Sequence, residues 1–217
     1  QLAGYLGRYT PIKSVGLCHS VQGCSRNLLK DLGIEYKEPL RESIAGINHM
    51  GWLLELEDAD GNDLYPEIRE RAIAILESGK TDHHDLVRYE YIRRLGYYCT
   101  ESSEHNAEYN NFFIKAKYPE LIERYNIPLD EYPRRCINQI ENWKKDREKY
   151  MHDDVTHTRT TEYASYIMEA IVTDIPYKIG GNVINNGLIP NLPAEACVEV
   201  ACLVNKNGIQ PCAQKPL

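Results

Sequence analysis

The chain has 217 residues, of which 42% are hydrophobic and 26% charged, and its formal net charge at pH 7 is −7. This composition is typical of a globular protein that buries the core of one or two domains. The negative charge and the lack of a basic stripe argue against a nucleic-acid partner, and the lack of an apolar run of roughly 20 residues argues against a membrane partner.

The first 63 residues predict a strand, a helix and then further strands. The run "IKSVGLCH" at 12–19 follows Pro11 and predicts a short buried strand. The segment "SRNLLKDLG" predicts a helix that ends at Gly33. The stretch 34–63 predicts strands around a turn, and its acidic segment "EDADGND", with an Asp-Gly step, is a strong loop signal.

The middle of the chain predicts helices, and the last third predicts strands. "LYPEIRERAIAILESG" has Pro66 in a first turn and Gly79 at a helix end. Val87, Tyr91 and Leu95 recur at helical spacing, and "YPRRCINQIENWKKDREKY" and "TEYASYIMEAIVTD" repeat that periodicity. "ACVEVACLV" predicts a strand after several Gly- and Pro-rich breaks. The order of elements predicts an α/β fold with α+β character.

Cysteine usage bears on the compartment. The seven cysteines are odd in number and form no CxxC pair, and no secretion signal is recognisable at the start of the chain. Most of the thiols are therefore expected to be reduced and packed as small hydrophobic groups, as in a cytoplasmic protein.

Two motifs place a cysteine and a histidine where a catalytic metal could bind. Cys18 in "GLCHSVQG" and His49 in "GINHMGW" each follow a predicted strand, which is where α/β proteins place active sites. A thiolate and an imidazole suit a borderline divalent metal and leave positions open for substrate. His19 has the chemistry of a general acid. Spacing alone favours simpler interpretations: a packed thiol, a hydrogen-bonded core histidine and a surface histidine.

The segment "CTESSEHNAEYNNFF" is the densest polar run. It contains Glu101, Glu104, His105, Glu108 and Tyr109, and helical spacing would put the first four on one face. An active-site base and a solvated helix start with acidic residues in its first turn explain this pattern equally well.

Four segments in this order, "GLCHSVQG", "GINHMGWLLEL", "TESSEHNAEY" and "NVINNGLIPNLPAEACVEV", resemble the family 4 glycoside hydrolases, and most closely the α-galactosidase branch. The resemblance implies hydrolysis of α-galactosides by an NAD- and Mn²⁺-dependent route: oxidation at C3, removal of the C2 proton by a base, and elimination. It implies a fold like the C-terminal domain of lactate and malate dehydrogenases, with a mixed sheet and added helices. It also implies a homo-oligomer, a dimer or a tetramer.

The resemblance assigns roles residue by residue. Cys18 and His49 fall on the metal ligands of the family, and Asn48 on a substrate contact. His19 stands where another branch has an aspartate acid, and it can donate a proton or bind a sugar hydroxyl. No position matches the base cleanly, so we expect it within 101–109, where Glu101, Glu104, His105 and Tyr109 are the candidates.

The NAD-binding domain of Rossmann type with which the family opens is not found in residues 1–217, and no G-x-G-x-x-G fingerprint occurs. We therefore expect residues 1–217 to form the catalytic and metal-binding C-terminal domain, and expect that this polypeptide alone does not bind NAD⁺. Within the family, an α-glucosidase or an α-galacturonidase is the alternative. Outside it, the alternatives are a non-catalytic carbohydrate-binding domain and the second domain of a hydroxy-acid dehydrogenase.

Overall fold

The computed structural model describes residues 2–154 and 156–217. They form eight helices and six strands within those ranges. In chain order these are α1 (Leu2–Tyr9), α2 (Cys24–Leu32), β1 (Arg41–Ile47), β2 (Met50–Glu57), α3 (Tyr65–Glu77), α4 (Leu86–Leu95), β3 (Tyr98–Cys99), α5 (Ser103–Tyr109), α6 (Glu120–Arg124), α7 (Glu131–His152), α8 (Ala164–Thr173), β4 (Tyr177–Ile184), β5 (Cys197–Asn205) and β6 (Gly208–Pro211).

The strands form one sheet in the order β3-β2-β1-β5-β4, with β6 paired to β5. Every strand pairing among the described residues is antiparallel. Helices precede and separate the strands, so the α/β class with α+β character is confirmed. The mixed sheet that the resemblance implied is corrected, because every described strand runs opposite to the strand with which it pairs. The sheet brings together chain segments that are far apart in sequence, and this is what assembles the site described below.

The sheet has a hydrophobic core on each face, because successive strand residues point in opposite directions. Leu53 packs in the core formed with α2, α3 and α4, whereas its neighbour Leu54 packs in the core formed with α8. Leu28, Leu29 and Leu53 are fully buried. Burying each such side chain contributes roughly 1.5–3 kcal/mol to folding.

Local signals fix two helix ends, and the first of them is the one that the sequence predicts. Gly33 follows α2 with φ of 65°, a conformation that glycine adopts at little cost, and its N–H donates to the carbonyls of Leu29 and Lys30. Ser102 precedes α5, and its hydroxyl accepts a hydrogen bond from the N–H of His105. The second cap fixes where the polar run of "TESSEHNAEY" enters its helix.

The predicted strand at 12–19 is corrected. Among the described residues this segment makes a single bridge, between Gly16 and Asn182 of β4, because only that pair exchanges backbone hydrogen bonds with the sheet. The helix predicted by "YPRRCINQIENWKKDREKY" is present as α7, but none of its described residues is buried, and Ile140 and Trp143 are exposed. No described helix combines the length and apolar character needed to cross a membrane.

Candidate active site

His49 lies in the tight turn between β1 and β2. The strands pair up to Ile47 and Met50, which leaves Asn48 and His49 as the turn residues. His49 has φ of 65°, in the left-handed region where histidine is found more often than most residues. The turn fixes the imidazole at the end of the hairpin, and Asn48 beside it is exposed.

Glu101 reaches the same end of the sheet from β3. Trp52 pairs with Cys99, and the N–H of Thr100 donates to the carbonyl of Gly51 at 2.8 Å. The chain then leaves the sheet, so Glu101 stands before α5 and not on its helical face. Its side chain nevertheless folds back towards the hairpin turn, and the residue is only 9% exposed.

Cys18 is positioned by the bridge that joins its segment to β4. The N–H of Gly16 donates to Asn182 O at 2.9 Å, and the N–H of Asn182 donates back at 2.8 Å. The hydroxyl of Tyr163 donates to the carbonyl of Cys18 at 2.5 Å and fixes the backbone there. The thiol is buried and lies 3.0 Å from the hydroxyl of Ser20.

These three placements make a cluster of possible metal ligands. One ligand atom each from Cys18, His49 and Glu101 lies within 4.8 Å of the other two. The carboxylate of Glu101 joins two imidazoles: Oε2 is 3.1 Å from Nδ1 of His49, and Oε1 is 3.2 Å from Nδ1 of His105. Within the described chain, neither Nε2 meets a hydrogen-bonding group of the protein, so both remain available for external ligands.

Tyr109 completes the aromatic side of the cluster. Its ring stacks on His105 with centroids 5.7 Å apart and planes inclined by 6°, and its hydroxyl lies 3.3 Å from Nδ1 of His49. The pKa of Tyr109 is raised by desolvation and by nearby carboxylates, Glu101 first among them. In this environment the phenol holds its proton, which makes it a hydrogen-bond donor.

Two other predicted residues lie apart from this cluster. The side chain of His19 is 69% exposed, and its Nε2 lies 2.7 Å from Glu162, whose pKa is lowered by that hydrogen bond. Glu104 pairs with Arg135 of α7 at 3.2 Å, and partial burial raises its pKa. Among the predicted site residues, the structure therefore brings together a single set: Cys18, His49, Glu101, His105 and Tyr109.

A buried carboxyl that the sequence analysis missed lies beneath the site. Glu199 of β5 pairs with Gly46 of β1, and Gly46 pairs with Gly51 of β2. Gly51 leaves room for the Glu199 side chain: a Cβ on Gly51 would lie 3.4 Å from Oε2 of Glu199 and 3.1 Å from Oγ1 of Thr100. The charged residue inside the apolar run "ACVEVACLV" was the available signal.

Glu199 is 1% exposed, and its Oε1 accepts a hydrogen bond from Nδ2 of Asn182 at 2.8 Å. Its Oε2 has no hydrogen-bond partner among the described residues. Burial raises the pKa of Glu199 to about 7, and the charge of Glu101 adds to that increase. Glu199 therefore keeps its proton up to neutral pH.

A second buried network anchors the segment that carries Glu101. Asp85 is fully buried and accepts hydrogen bonds from Arg88, from the hydroxyl of Tyr98 at 2.7 Å and from that of Ser103 at 3.0 Å. The guanidinium of Arg88 lies 4.4 Å from the ring centroid of Tyr98. Tyr98 precedes Glu101 in the sequence and Ser103 follows it. The hydrogen bonds that Asp85 accepts from both therefore anchor the chain on either side of Glu101.

Thiolate, imidazole and carboxylate together form a donor set that suits a borderline divalent cation. Partial burial of Cys18 and Glu101 limits competition from water. The carboxylate of Glu101, 3.1 Å from Nδ1 of His49, is the kind of neighbour that orients a metal-binding imidazole in proteins. The residues at this end of the sheet therefore fit a divalent cation.

Comparison with known proteins gives the chain its relatives. Residues 44–217 match the model of the family 4 glycosyl hydrolase C-terminal domain. The chain is 56% identical over 212 residues to an α-galactosidase of Bacillus subtilis, a match that covers 97% of this chain and 48% of the relative. It is 29% identical to an α-galactosidase of Rhizobium meliloti, over 93% of this chain and 42% of the relative.

Solved structures have the same fold. The Bacillus subtilis protein lplD superposes with a TM-score of 0.81 at 24% identity, over 99% of this chain and 53% of that one. A 6-phospho-α-glucosidase from gut microorganisms, crystallised with NAD and Mn²⁺, gives 0.68 at 20% identity, over 100% of this chain and 51% of that one. The chain thus spans about half the length of the relatives that it matches.

Proposed function

Because the chain belongs to family 4 of the glycosyl hydrolases, we propose that it supplies the cation- and sugar-binding part of an enzyme that hydrolyses α-galactosides. The observation that carries the proposal is the cluster of Cys18, His49 and Glu101. The choice of sugar is supported by the 56% identity to a protein named α-galactosidase.

The proposed ligands of the divalent cation are Cys18 and His49, with Glu101 as a third ligand or as the group that orients His49. Mn²⁺ is the proposed ion and NAD⁺ the proposed redox cofactor, as in the related 6-phospho-α-glucosidase structure. When bound, NAD⁺ would accept a hydride from C3 of the sugar, and the cation would stabilise negative charge on the C2 and C3 oxygens. Asn48, exposed beside His49, would bind a sugar hydroxyl.

His105 is the proposed base that removes the C2 proton. Glu101 lies 3.2 Å from its Nδ1, which favours the tautomer with a basic Nε2, and histidine titrates close to neutral pH. Tyr109 is the second candidate, but its raised pKa keeps the phenol protonated at neutral pH, so little phenolate is available to act as the base. Glu104 is left out because it pairs with Arg135.

His19 is the proposed proton donor to the leaving group. His19 follows Cys18 in the sequence, and its ring contacts the ring of Tyr163 edge-on, with centroids 5.7 Å apart. Its Nε2 lies 2.7 Å from the carboxylate of Glu162, which orients the ring, and an imidazole is a suitable group to donate a proton to a leaving group.

The NAD-binding part is proposed to lie outside residues 1–217. A dimer or tetramer is also proposed, and the exposed apolar side chains of α7 (Ile137, Ile140 and Trp143) offer a surface for it. Sedimentation of the full-length protein tests the oligomer, and calorimetry of residues 1–217 with NAD⁺ tests the cofactor. Tight NAD⁺ binding by this polypeptide would overturn the assignment of the domain.

The test of function is hydrolysis of an aryl α-galactoside by the full-length protein under reducing conditions, with NAD⁺ and Mn²⁺ each supplied or withheld. We expect turnover only with both. Turnover without either would indicate an ordinary acid–base glycosidase. No turnover on galactosides, glucosides or galacturonides would favour a carbohydrate-binding domain.

The base is tested by exchange of the C2 hydrogen. In D₂O the galactose released by the wild-type protein should carry deuterium at C2. His105→Gln should lower both hydrolysis and exchange roughly 10²–10⁴-fold, the usual contribution of a general base. If Tyr109→Phe produces that loss and His105→Gln does not, the base is Tyr109.

A further inference from the structure

One row of residues crosses the sheet beneath the proposed cation site, each joined to the next by strand pairing or by a backbone hydrogen bond. In order, the row contains Gly16, Asn182, Glu199, Gly46, Gly51 and Thr100. Gly16 lies two residues before Cys18. Gly51 lies two residues after His49. Thr100 directly precedes Glu101. The row therefore connects the three segments that carry the proposed cation ligands.

The carboxyl of Glu199 lies between the two ends of this row. Its Oε1 accepts a hydrogen bond from Nδ2 of Asn182 at 2.8 Å, and the same Nδ2 donates to the carbonyl of Gly16 at 3.3 Å. Its Oε2 faces Gly51 and Thr100, since a Cβ on Gly51 would lie 3.4 Å from Oε2 and 3.1 Å from Oγ1 of Thr100. One side chain thus reaches from the segment of Cys18 towards the segments of the other two ligands.

Packing alone does not account for a carboxyl at this position. Val198 and Val200, its neighbours in β5, are fully buried in the core formed with α8. Glu199 points to the opposite face of the sheet and is also buried there. Burying a carboxyl costs free energy that an apolar side chain would not incur. What the carboxyl supplies, and an apolar residue does not, is the hydrogen bond to Asn182.

We propose that Glu199 is a positioning residue of the cation site. Through Asn182 it fixes the segment of Cys18 against the sheet, and so sets where the thiol lies relative to His49 and Glu101. Cys18 depends on this support most, because among the described residues its segment has only the bridge at Gly16 to the sheet. The inference rests on the proposed function for the identity of the ligands, and it deepens that proposal by naming the group that keeps them together.

Co²⁺ binding to the full-length protein under reducing conditions tests this role, because a thiolate bound to Co²⁺ adds an absorption band in the near ultraviolet. Cys18→Ser identifies the band by losing it. Glu199→Met keeps the length of the side chain but has no oxygen to accept a hydrogen bond. It should weaken Co²⁺ binding about 10- to 100-fold, the usual effect of losing a group that positions metal ligands. At saturating Co²⁺ its thiolate band should also be weaker than that of the wild type.

A rescue and a matched control separate positioning from general destabilisation. Glu199→Gln should keep both the affinity and the band, because its amide oxygen can still accept from Asn182. Asn182→Ala should resemble Glu199→Met, and the double variant should lose no more than either alone, since both changes remove the same contact. Val200→Ala is the control on the opposite face of the same strand: it should lower stability in urea and keep the band.

An unchanged affinity and band in Glu199→Met would overturn the positioning role, and so would an equal loss in Glu199→Gln or Val200→Ala. If Glu199→Met does not fold, Asn182→Ala decides the same point. If the expected pattern appears but no glycoside is hydrolysed, the proposed function fails and the positioning role stands. If hydrolysis requires Mn²⁺ but Glu199→Met binds Co²⁺ as the wild type does, the proposed function stands and the positioning role fails. A wild-type protein without a band that depends on Cys18 would overturn both.

Discussion

Oε2 of Glu101 lies 3.1 Å from Nδ1 of His49, and the other oxygen of the same carboxylate lies 3.2 Å from Nδ1 of His105. One carboxylate thus fixes the orientation of the proposed metal-binding imidazole and of the proposed base. Any change at Glu101 is expected to affect both.

Glu101→Gln should weaken Mn²⁺ binding about 10- to 100-fold, the usual effect of losing the group that orients a metal-binding histidine. An amide cannot support both imidazoles with the same charge. Calorimetric titration with Mn²⁺ measures the change. Glu123→Gln is the control, because Glu123 is exposed on α6 and belongs to no cluster of possible metal ligands among the described residues; equal affinity in the two variants would remove Glu101 from the cation site.

Cys18→Ser should abolish hydrolysis by the full-length protein and weaken Mn²⁺ binding while leaving the fold intact. Serine is nearly isosteric, but it does not supply the thiolate that the proposed site uses. Circular dichroism checks the fold. Cys212→Ser is the control, since Cys212 is exposed. Unchanged activity of Cys18→Ser would exclude Cys18 from the site.

Glu199→Gln should change how stability depends on pH. Burial raises the pKa of Glu199 to about 7 in the folded protein, whereas a carboxyl in the unfolded chain has a pKa near 4.5. Between those values the unfolded state binds fewer protons, so the carboxyl lowers the free energy of unfolding by about 1.4 kcal/mol for each pH unit gained. Glutamine lacks this proton, and the variant should lose less stability between pH 5 and pH 7.

The measurement is urea unfolding of the wild-type protein and Glu199→Gln at pH 5, 6 and 7. The groups that face Glu199 are the amide of Asn182, the hydroxyl of Thr100 and the charge of Glu101. Since the charge of Glu101 contributes to the raised pKa of Glu199, Glu101→Gln is measured in parallel. Parallel pH profiles for the wild type and Glu199→Gln would contradict the raised pKa.

Arg88→Met should destabilise the fold by about 3–5 kcal/mol, because it leaves the fully buried carboxylate of Asp85 without its counter-charge. Arg134→Met is the matched control: Arg134 pairs with acidic residues on the exposed side of α7, where ion pairs contribute about 0–1 kcal/mol. Denaturant titration measures both. A loss below about 1 kcal/mol for Arg88→Met would show that the network at Asp85 does not hold this segment.

The sequence predicted those features of the fold that depend on residues close together in the chain. The helix end at Gly33 and the strands on either side of the turn at His49 follow from short-range patterns, and they are present in the structure. The segment 12–19 was predicted wrongly, because an apolar run does not indicate how many strand neighbours a segment will have. Its single bridge at Gly16 depends on Asn182, far along the chain.

The missed part of the site depends on contacts between distant segments. Glu199 is buried because β1 and β4 lie on either side of β5 and because Gly51 leaves space next to its carboxyl. None of these neighbours is near Glu199 in the sequence. The periodicity of α7 correctly predicted an amphipathic helix, but periodicity does not indicate what covers the apolar face.

The cluster of Cys18, His49 and Glu101 draws its members from a loop, a hairpin turn and the end of a third strand. In the unfolded chain nothing keeps these three side chains together, so the unfolded chain contains no comparable site. A cation that binds only the folded form would raise the free energy of unfolding, by about 2.7 kcal/mol at a concentration one hundred times its Kd. Supply of the metal would then govern how long the protein survives in the cell as well as whether it is active.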